Sequence, residues 1–483
     1  MLNTIVEFIN NILWNYIVLV LLIISGVVFT LKTKFVQVRM LKDMIRIIFC
    51  GAGQKTKEKE VSGFQAFCIS AASHVGVGNI AGVAIAIVMG GPGAVFWMWL
   101  MSFFGCAISF VESTLAQIYK LPKGQKQFYG GPAYYIKNAL KKPILANYFA
   151  ILISVAFGLI YVSVQANTIA QSVETAFGIN TAITGVLVAI LASLVIFGGI
   201  TRIAKFTEAI VPIMAGFYLL SALIVIIINI NIVPSMFALI IHDAFSPQAA
   251  VGGGFGAVLM TGIKRGLFSN EAGEGSIPNA AATASCNHPV RQGLIHTFGV
   301  YVDTWLICSA TAFIVLLSGQ YIINGDVTGV SLVQSSLANI YGHYAPHVLS
   351  FIIFLFAFSS IVGNYYYGEV NIAFFDNKKN NNDKQNSNII PKIMNIFRLG
   401  VVFMVFFGSI AKLKFIWNCA DLFMGLLCIT NIFAILHLSK YSFIALEDYV
   451  SQKKSGIADP VFSDRIIPDK TGIYAWNNKE NTL

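Results

Sequence analysis

The sequence contains few charged residues for its length. Of its 483 residues, Asp, Glu, Lys and Arg together make up 11%, whereas hydrophobic residues make up 56%. Soluble domains carry about 25% charged residues, which cover the surface of a compact body. The shortage excludes an ordinary soluble protein and a disordered chain, and it indicates that lipid covers the apolar excess.

Cysteine is scarce as well, and the histidines are scattered. The seven cysteines include no CxxC pair, and no HExxH pattern occurs. These absences exclude a disulfide scaffold and a metal site of the usual spacing. A membrane-embedded enzyme, which needs a nucleophile with a base or metal ligands at bilayer depth, remains only a remote alternative. We therefore expect that the protein is not an enzyme.

What the chain has instead is long apolar runs, and about eleven of them are long enough to cross a bilayer. A helix needs ~20 apolar residues to span ~30 Å of hydrocarbon. The predicted spans lie near residues 10–31, 63–89, 93–118, 147–176, 180–199, 208–230, 253–283, 293–319, 346–371, 393–411 and 415–437. The sequence therefore predicts an all-α, multi-pass protein of the cell membrane.

Basic residues lie between these runs, so the net charge of +10 indicates membrane topology and not nucleic-acid binding. The basic loop Lys32–Lys59 follows the first span, which predicts a cytoplasmic loop and an N-terminus outside the cell. An odd number of spans then places the C-terminus in the cytoplasm. Residues 376–388, rich in Asn and Lys, are predicted to form a cytoplasmic loop, and the segment from Lys440 is predicted to be a solvated tail.

Two of the predicted spans are interrupted by glycine and polar residues. The second contains the run Ser73–Gly82, and the seventh contains the run Gly262–Gly275. If the first span is set aside, the interruptions fall on the first and sixth of ten helices. That is the pattern of two inverted repeats of five helices, each opening with a discontinuous helix, as in the leucine-transporter scaffold.

This pattern divides the chain into four parts. Residues 1–62 form an extra N-terminal span with the basic loop, and residues 63–232 form the first repeat. Residues 233–439 form the second repeat, which includes the loop 376–388, and residues 440–483 form the cytoplasmic tail.

An unwound segment at mid-membrane leaves backbone groups that lipid cannot satisfy. At the first break, the N–H groups near Gly78 and Asn79 present partial positive charge to a carboxylate, and the carbonyls near Ser73–Gly76 offer ligands to Na⁺ or an ammonium group. The alternative is that the glycines only allow close helix packing, since Gly78 and Gly82 form a GxxxG motif.

The seventh span carries charges that packing does not require. Charged groups in a span are costly unless they face water or each other. We therefore expect a gating or coupling role for Lys264, Arg265, Asn270, Glu271 and Glu274. A purely structural alternative is that Glu271 pairs with Lys264 or Arg265. Asp303 and Glu112 are expected to be structural partners of loop basic residues or helix ends.

At these residues the sequence resembles the alanine/glycine:cation symporter (sodium:alanine symporter) family. The resemblance rests on Gly76–Gly82 followed by Gly90–Trp99, and on Gly262–Gly275 continuing to Ala284. Further matches are Gly130–Pro132 with Tyr135, Ser163–Asn167, and Gly363 with Tyr366–Glu369. They extend from about residue 10 to Trp476.

The resemblance implies a symporter that imports small neutral amino acids such as alanine and glycine with Na⁺ as the coupling ion, working in the bilayer as a monomer. The implied substrate-binding residues are Gly76, Gly78, Asn79, Gln165, Met260, Thr261, Gly262 and Phe268. The implied Na⁺ ligands are Ala72, Ser73, Val75, Ser359 and Ser360.

One departure from the family pattern leaves an alternative open. Glu274 replaces an apolar residue between two glycines and adds a titratable acid to the broken helix. The alternative hypothesis is an H⁺-coupled transporter of another small amino acid on the same scaffold, in which Glu271 or Glu274 carries the proton.

Overall fold

The computed structural model describes residues 2–51, 60–123, 127–198, 200–246, 254–323, 327–376 and 389–476. Two segments named above lie outside these residues: positions 52–59 of the basic loop, and positions 377–388 of the Asn/Lys-rich loop.

The described chain is almost entirely helical. The α-helices are Leu2–Ile12 (α1), Leu19–Lys32 (α2), Val36–Arg39 (α3), Leu41–Gly51 (α4), Gly63–His74 (α5), Val83–Gly90 (α6), Ala94–Ile118 (α7), Pro132–Asn138 (α8), Pro143–Val155 (α9), Val162–Phe177 (α10), Thr181–Ile196 (α11), Ile200–Ile228 (α12), Val233–Ala244 (α13), Gly254–Asn270 (α14), Ile277–Ala281 (α15), Pro289–Val300 (α16), Ser309–Ser318 (α17), Gln320–Ile323 (α18), Gly329–Tyr341 (α19), Ala345–Ala373 (α20), Ile389–Ile410 (α21) and Leu413–Lys454 (α22). π-Helical stretches occur at Leu13–Val18, Gly78–Gly82, Ala156–Tyr161 and Tyr301–Cys308, and a 3₁₀ turn at Asp464–Ile466. A short antiparallel hairpin pairs Leu121–Lys123 (β1) with Gln127–Tyr129 (β2).

Within the described ranges, eight helices are long and apolar enough to cross a membrane, and the bent pair of α5 with Gly78–Gly90 brings the number to nine. Two of the eleven predicted spans fall short of that length. The fifth corresponds to α11, which has 16 residues, and the seventh is divided into α14 and α15. The prediction of an all-α polytopic membrane protein is confirmed.

The first break lies between α5 and the π-helical stretch Gly78–Gly82. Helix α5 begins with a capping box, in which the Ser62 side chain accepts from the Gln65 N–H and the Gln65 side chain accepts from the Ser62 N–H. It ends at His74, where Val75 leaves the helical region with φ −79° and ψ 83°. The helix axis turns by 48° at this point.

The second break follows α14. Glu271 adopts φ +55°, and Gly273 and Gly275 adopt φ +95° and +82°. Positive φ costs a glycine little, whereas most other residues avoid it. The chain therefore unwinds between α14 and α15 at little cost at the two glycines, whereas Glu271 adopts a conformation that its side chain disfavours.

The end of the chain differs from the predicted solvated tail. Helix α22 continues through Lys440 to Lys454, and beyond it Phe462, Ile467 and Ile473 are buried. The Trp476 indole donates to the Gln117 carbonyl at 3.0 Å. Apolar residues spaced along an otherwise polar segment hold it against the helices, so the prediction of a fully solvated tail is wrong.

Candidate functional site

Side chains satisfy the backbone groups at the first break. The Gly76 N–H donates to Asn79 Oδ1 at 2.8 Å, and the Val77 N–H donates to Gln165 Oε1 at 3.1 Å. These are two of the N–H groups that a helix start leaves without an intrahelical partner. Gln165, on α10, is therefore in contact with the break. The family resemblance implied that this residue binds the substrate.

The two breaks lie against each other. A Cβ at Gly78 would be 2.9 Å from Ser269 Cα and 3.2 Å from Phe268 Cδ1, so only glycine permits this approach. A direct polar contact also joins them, because Ser73 Oγ lies 2.7 Å from Glu271 Oε1. Both interrupted helices thus meet at one buried polar centre.

Among the residues that the structure describes, Glu271 is held by hydroxyl groups and not by a basic side chain. Its second carboxylate oxygen accepts from Ser276 Oγ at 2.6 Å, and the residue is 2% exposed. The suggested pairing with Lys264 or Arg265 is wrong, because Arg265 forms an ion pair with Asp421 on α22 and the Lys264 ammonium lies 5.3 Å from the Trp14 ring centroid.

The backbone of the second break has partners that the sequence reasoning missed. Glu112 on α7 accepts from the Gly273 N–H at 3.2 Å and from Asn431 Nδ2 at 2.7 Å. Asn431 Nδ2 also donates to the Gly273 carbonyl at 3.0 Å. Asn270 caps its own break by accepting from the Ala272 N–H at 3.1 Å. An acid inside an apolar run was the signal for Glu112, but its partner lies in a distant part of the sequence.

Asp303 is a further residue of this centre. Its Oδ1 accepts from Asn79 Nδ2 at 2.6 Å, and its Oδ2 accepts from Ser269 Oγ and from Thr304 Oγ1, each at 2.9 Å. It lies in the π-helical stretch Tyr301–Cys308 and is fully buried. Within the described ranges, neither Asp303 nor Glu112 pairs with a loop basic residue. The expected alternative, a partner at a helix end, holds for Glu112, which accepts from the Gly273 N–H just after α14.

The predicted cation ligands divide into two groups. Ser360 lies beside the first break, since a Cβ at Gly76 would be 3.1 Å from both Ser360 Cβ and Gln165 Oε1. Ser359 turns away from it and contacts Met214 Sδ at 3.4 Å, because consecutive residues of a helix point about 100° apart. Both hydroxyls also donate to the Phe356 carbonyl.

Ala72 and Ser73 lie in the last turn of α5 and Val75 directly follows it, and all three are buried. Helix α20 packs closely there, and a Cβ at Gly363 would be 2.8 Å from the Ser73 nitrogen. Ser73 Oγ also lies 2.6 Å from Asn364 Oδ1. Helix α20 and the last turn of α5 therefore pack side by side.

The predicted pocket residues of α14 do not all meet at the breaks. Phe268 contacts Gly78, whereas Met260 and Thr261 line a separate cavity of about 1010 Å³. Gly262 packs against α7, where a Cβ would lie 2.8 Å from Trp97 Cβ. The 3.6-residue helical repeat separates these side chains onto different faces.

Arg265 and Asp421 lie in the wall of this cavity, which we call the α14–α22 cavity, together with Lys264 and Trp417. The Arg265 guanidinium is 4.5 Å from the Trp417 ring centroid, and the Phe268 ring is 4.6 Å from the Trp417 ring. Since Phe268 also touches Gly78, the ion pair and the two aromatic rings form a continuous series of contacts from the cavity wall to the first break.

Glu274 lies within the second break and is fully buried. Its Oε2 accepts from the Tyr161 hydroxyl at 3.0 Å, and its Oε1 has no hydrogen-bond partner in the part of the chain described here. The Tyr161 ring lies 5.1 Å from the Phe268 ring. Tyr161 thus connects Glu274 to Phe268, the side chain that contacts Gly78.

Comparison with known proteins places these features in a family. The model of the sodium:alanine symporter family matches residues 1–464. The chain is 48% identical to a protein of Bacillus subtilis (strain 168) named "Probable sodium/glutamine symporter", over 98% of this chain and 96% of that protein. It is 44% identical to an amino-acid carrier protein of the same organism, over 99% of this chain and 98% of that protein.

Among solved structures, a mutant form of the Eremococcus coleocola manganese transporter is similar. The match covers 85% of this chain and 92% of that chain, with a TM-score of 0.50 and 13% sequence identity. At this identity the likeness concerns the fold alone, and it agrees with an arrangement of two five-helix repeats.

Proposed function

Because the chain belongs to the sodium:alanine symporter family, and is therefore a membrane transporter and not an enzyme, we propose that it imports small neutral amino acids together with Na⁺. Alanine and glycine are the proposed substrates. Glutamine is a third candidate, because the relative from Bacillus subtilis carries that amino acid in its name. The N-terminus is proposed to lie outside the cell and the C-terminus inside, with the monomer as the working unit.

The observation that carries this proposal is the contact between the two interrupted helices. Gly76 and Val77 direct their N–H groups toward Asn79 and Gln165, which can release them to a substrate carboxylate. Phe268 from the second broken helix covers Gly78 and supplies an apolar surface for a small side chain. A zwitterion at this point would replace hydrogen bonds that the protein otherwise makes to itself.

For Na⁺ we propose a site between α5 and α20. The carbonyl groups of Ala72, Ser73 and Val75 and the hydroxyl of Ser360 are neutral oxygen ligands, which suit a hard cation. Ser360 adjoins Gly76, whereas Ser359 contacts Met214. We therefore place Ser360, and not Ser359, among the proposed ligands.

For gating we propose the layer made by Arg265, Asp421, Trp417 and Phe268. What supports this proposal is that the contacts of this layer run from the wall of the α14–α22 cavity to the first break. Met260, Thr261 and Lys264 line the cavity and would meet the substrate on its way in. Asn270 and Glu271 would link the movement of α14 to the substrate centre.

The test is uptake into proteoliposomes that contain the purified protein. Radiolabelled alanine, glycine and glutamine are supplied with an inward Na⁺ gradient, and K⁺ replaces Na⁺ in the matched control. We expect accumulation of at least one of the three only with the Na⁺ gradient. Uptake that is the same with either cation, or absent for every small neutral amino acid, would contradict the proposal.

A second candidate keeps the scaffold but couples it to protons. Glu274 is a fully buried acid with one unpaired oxygen, and no basic side chain pairs with it in the described ranges. Such an acid within a membrane is a candidate for carrying a proton. If a protonophore abolishes uptake while the Na⁺ gradient is held constant, and Glu274→Gln removes that sensitivity, the proton-coupled alternative replaces the first.

A further inference from the structure

Asp303 contacts both breaks but belongs to neither interrupted helix. It belongs to the π-helical stretch between α16 and α17, yet its two carboxylate oxygens contact different breaks: Oδ1 accepts from Asn79 at the first, and Oδ2 accepts from Ser269 at the end of α14. π-Helical stretches often occur at functional sites, where they redirect a side chain. A single side chain thus spans from one break to the other.

The hydrogen bonds around Asp303 run in one direction. Asn79, Ser269 and Thr304 all donate to the carboxylate, so it acts as an acceptor throughout. Within the described ranges, no Lys or Arg forms an ion pair with it. Bonds from neutral donors to a buried carboxylate are charge-assisted and geometrically strict. This strictness fixes the orientation of each donor.

The consequence for Asn79 is specific. With Nδ2 bound to Asp303, the amide must turn Oδ1 toward the backbone, where it accepts from the Gly76 N–H. Thr311 Oγ1 adds a second bond from the same part of the chain, to the Asn79 carbonyl at 2.6 Å. The region Asp303–Thr311 therefore holds both the side chain and the backbone of Asn79.

We infer that Asp303 is a positioning residue for substrate binding: it orients the Asn79 amide at the first break and ties that break to the end of α14 through Ser269. The inference rests on the proposed function only in so far as the first break binds substrate. The geometric part, that Asp303 fixes Asn79 against Gly76, stands independently of what is transported.

The test compares an apolar variant with a conservative one. Asp303→Leu removes the acceptor for Asn79, and we expect the KM for the transported amino acid to rise about tenfold with Vmax little changed, because a buried donor loses its partner. Asp303→Asn keeps an oxygen that can face Asn79, so its KM should stay within about threefold of the parent value.

A second experiment covers the case in which Asp303→Leu does not fold: it exchanges the hydrogen-bond donor at residue 79 with the acceptor at residue 303. Asn79→Asp alone sets two carboxylates face to face and should weaken binding. Adding Asp303→Asn restores one donor and one acceptor, and residue 79 still accepts from Gly76, so the double variant should recover most of the affinity. A double variant no better than Asn79→Asp alone would overturn the inference.

Hydrogen–deuterium exchange of the peptide that contains residues 75–79 separates this inference from the proposed function. We expect Asp303→Leu, but not Asp303→Asn, to accelerate exchange at the first break about tenfold, since the Gly76 N–H loses an oriented acceptor. Unchanged exchange in Asp303→Leu would refute the positioning role even if uptake by that variant is impaired. A parent protein that transports no amino acid would refute the proposed function and leave the exchange result to decide the role of Asp303.

Discussion

Ser73 and Glu271 join the two interrupted helices directly: the Ser73 hydroxyl lies 2.7 Å from Glu271 Oε1, although 198 residues separate them in the sequence. Ser73 lies in the last turn of its helix, and Glu271 lies in the unwound segment that follows the other. If either helix shifts at this point, the contact must break or the other helix must move with it. The contact therefore provides a physical route by which an event at one break reaches the other.

The first prediction concerns the charge of Glu271. Glu271→Gln preserves the shape of the side chain, and the hydroxyls of Ser73 and Ser276 can rotate to meet the new amide, so the protein should fold. We expect uptake to fall about tenfold or more, because the negative charge between the breaks is lost. Glu208→Gln is the matched control, since Glu208 accepts from Gln65 away from the breaks. Equal uptake by both variants would exclude a coupling role for Glu271.

The second prediction concerns Gln165. Its Oε1 accepts from the Val77 N–H at 3.1 Å. Gln165→Ala removes this acceptor and the amide that we expect to contact the substrate. The KM should rise about tenfold, an effect equal to the loss of one or two hydrogen bonds. Initial uptake rates measured over a range of substrate concentrations test this, and an unchanged KM would remove Gln165 from the site.

The third prediction separates two neighbouring hydroxyls. Ser360→Ala should raise the Na⁺ concentration for half-maximal uptake severalfold, because Ser360 adjoins Gly76 and the end of α5. Ser359→Ala is the control, because that hydroxyl contacts Met214 on the other side of α20. Na⁺ titrations at saturating amino acid provide the comparison. A larger shift for Ser359→Ala would place the cation elsewhere.

The sequence was sufficient to predict the class of fold and the location of the first break. The second interruption was predicted over Gly262–Gly275, but the chain is helical through Asn270 and unwinds only after it. Within a membrane span, unwound backbone groups and charged side chains are tolerated only where the protein, water or a ligand satisfies them. Glycines and charges that interrupt an apolar run therefore indicate such a place, and this made Gly76 and Glu271 recognisable from the sequence alone. The partners were not recognisable. The bonds of Asp303 with Asn79 and of Glu112 with Asn431 depend on which helix faces lie together, and hydropathy contains no information about rotation around a helix axis.

The α14 residues illustrate the same limit. Met260, Thr261, Gly262 and Phe268 were grouped because they are close in sequence, yet they face the cavity, α7 and the first break in turn. Sequence proximity gives a common helix but not a common face. The pairing of Arg265 with Asp421 likewise joins two spans whose adjacency follows from the tertiary fold.

The fourth prediction is a pH dependence outside the spans. Lys120 follows α7 and is buried, and its ammonium group donates to the Ala284 carbonyl at 2.8 Å and lies 4.0 Å from the Phe128 ring centroid. Burial lowers the pKa of Lys120 from 10.5 to about 8. Between these values the unfolded chain binds more protons than the folded one, so the free energy of unfolding should increase as pH rises through this window.

Thermal unfolding of the parent and of Lys120→Met in detergent, from pH 7 to pH 10, tests this sign. The midpoint of the parent relative to the variant should rise above pH 8, where the folded protein loses the proton and the cost of burying charge disappears. A difference that is constant across the range would show that the Lys120 ammonium is not penalised by burial.

The fifth prediction concerns the ion pair between Arg265 and Asp421, whose residues are only 5% and 7% exposed. Asp421→Asn leaves a buried guanidinium without its counter-charge, and breaking such a pair costs about 3–5 kcal/mol. The thermal midpoint should therefore drop clearly. Adding Arg265→Gln removes the uncompensated charge and allows a neutral amide–amide hydrogen bond, so the double variant should regain most of the stability.

The same double variant also tests the gating role of the pair. If the pair also acts as a gate, uptake will remain low in this stable double variant. The reason is that the layer formed with Phe268 and Trp417 has then lost the two opposite charges on which its opening and closing depend. Recovery of stability and uptake together would mean that the pair serves the fold alone.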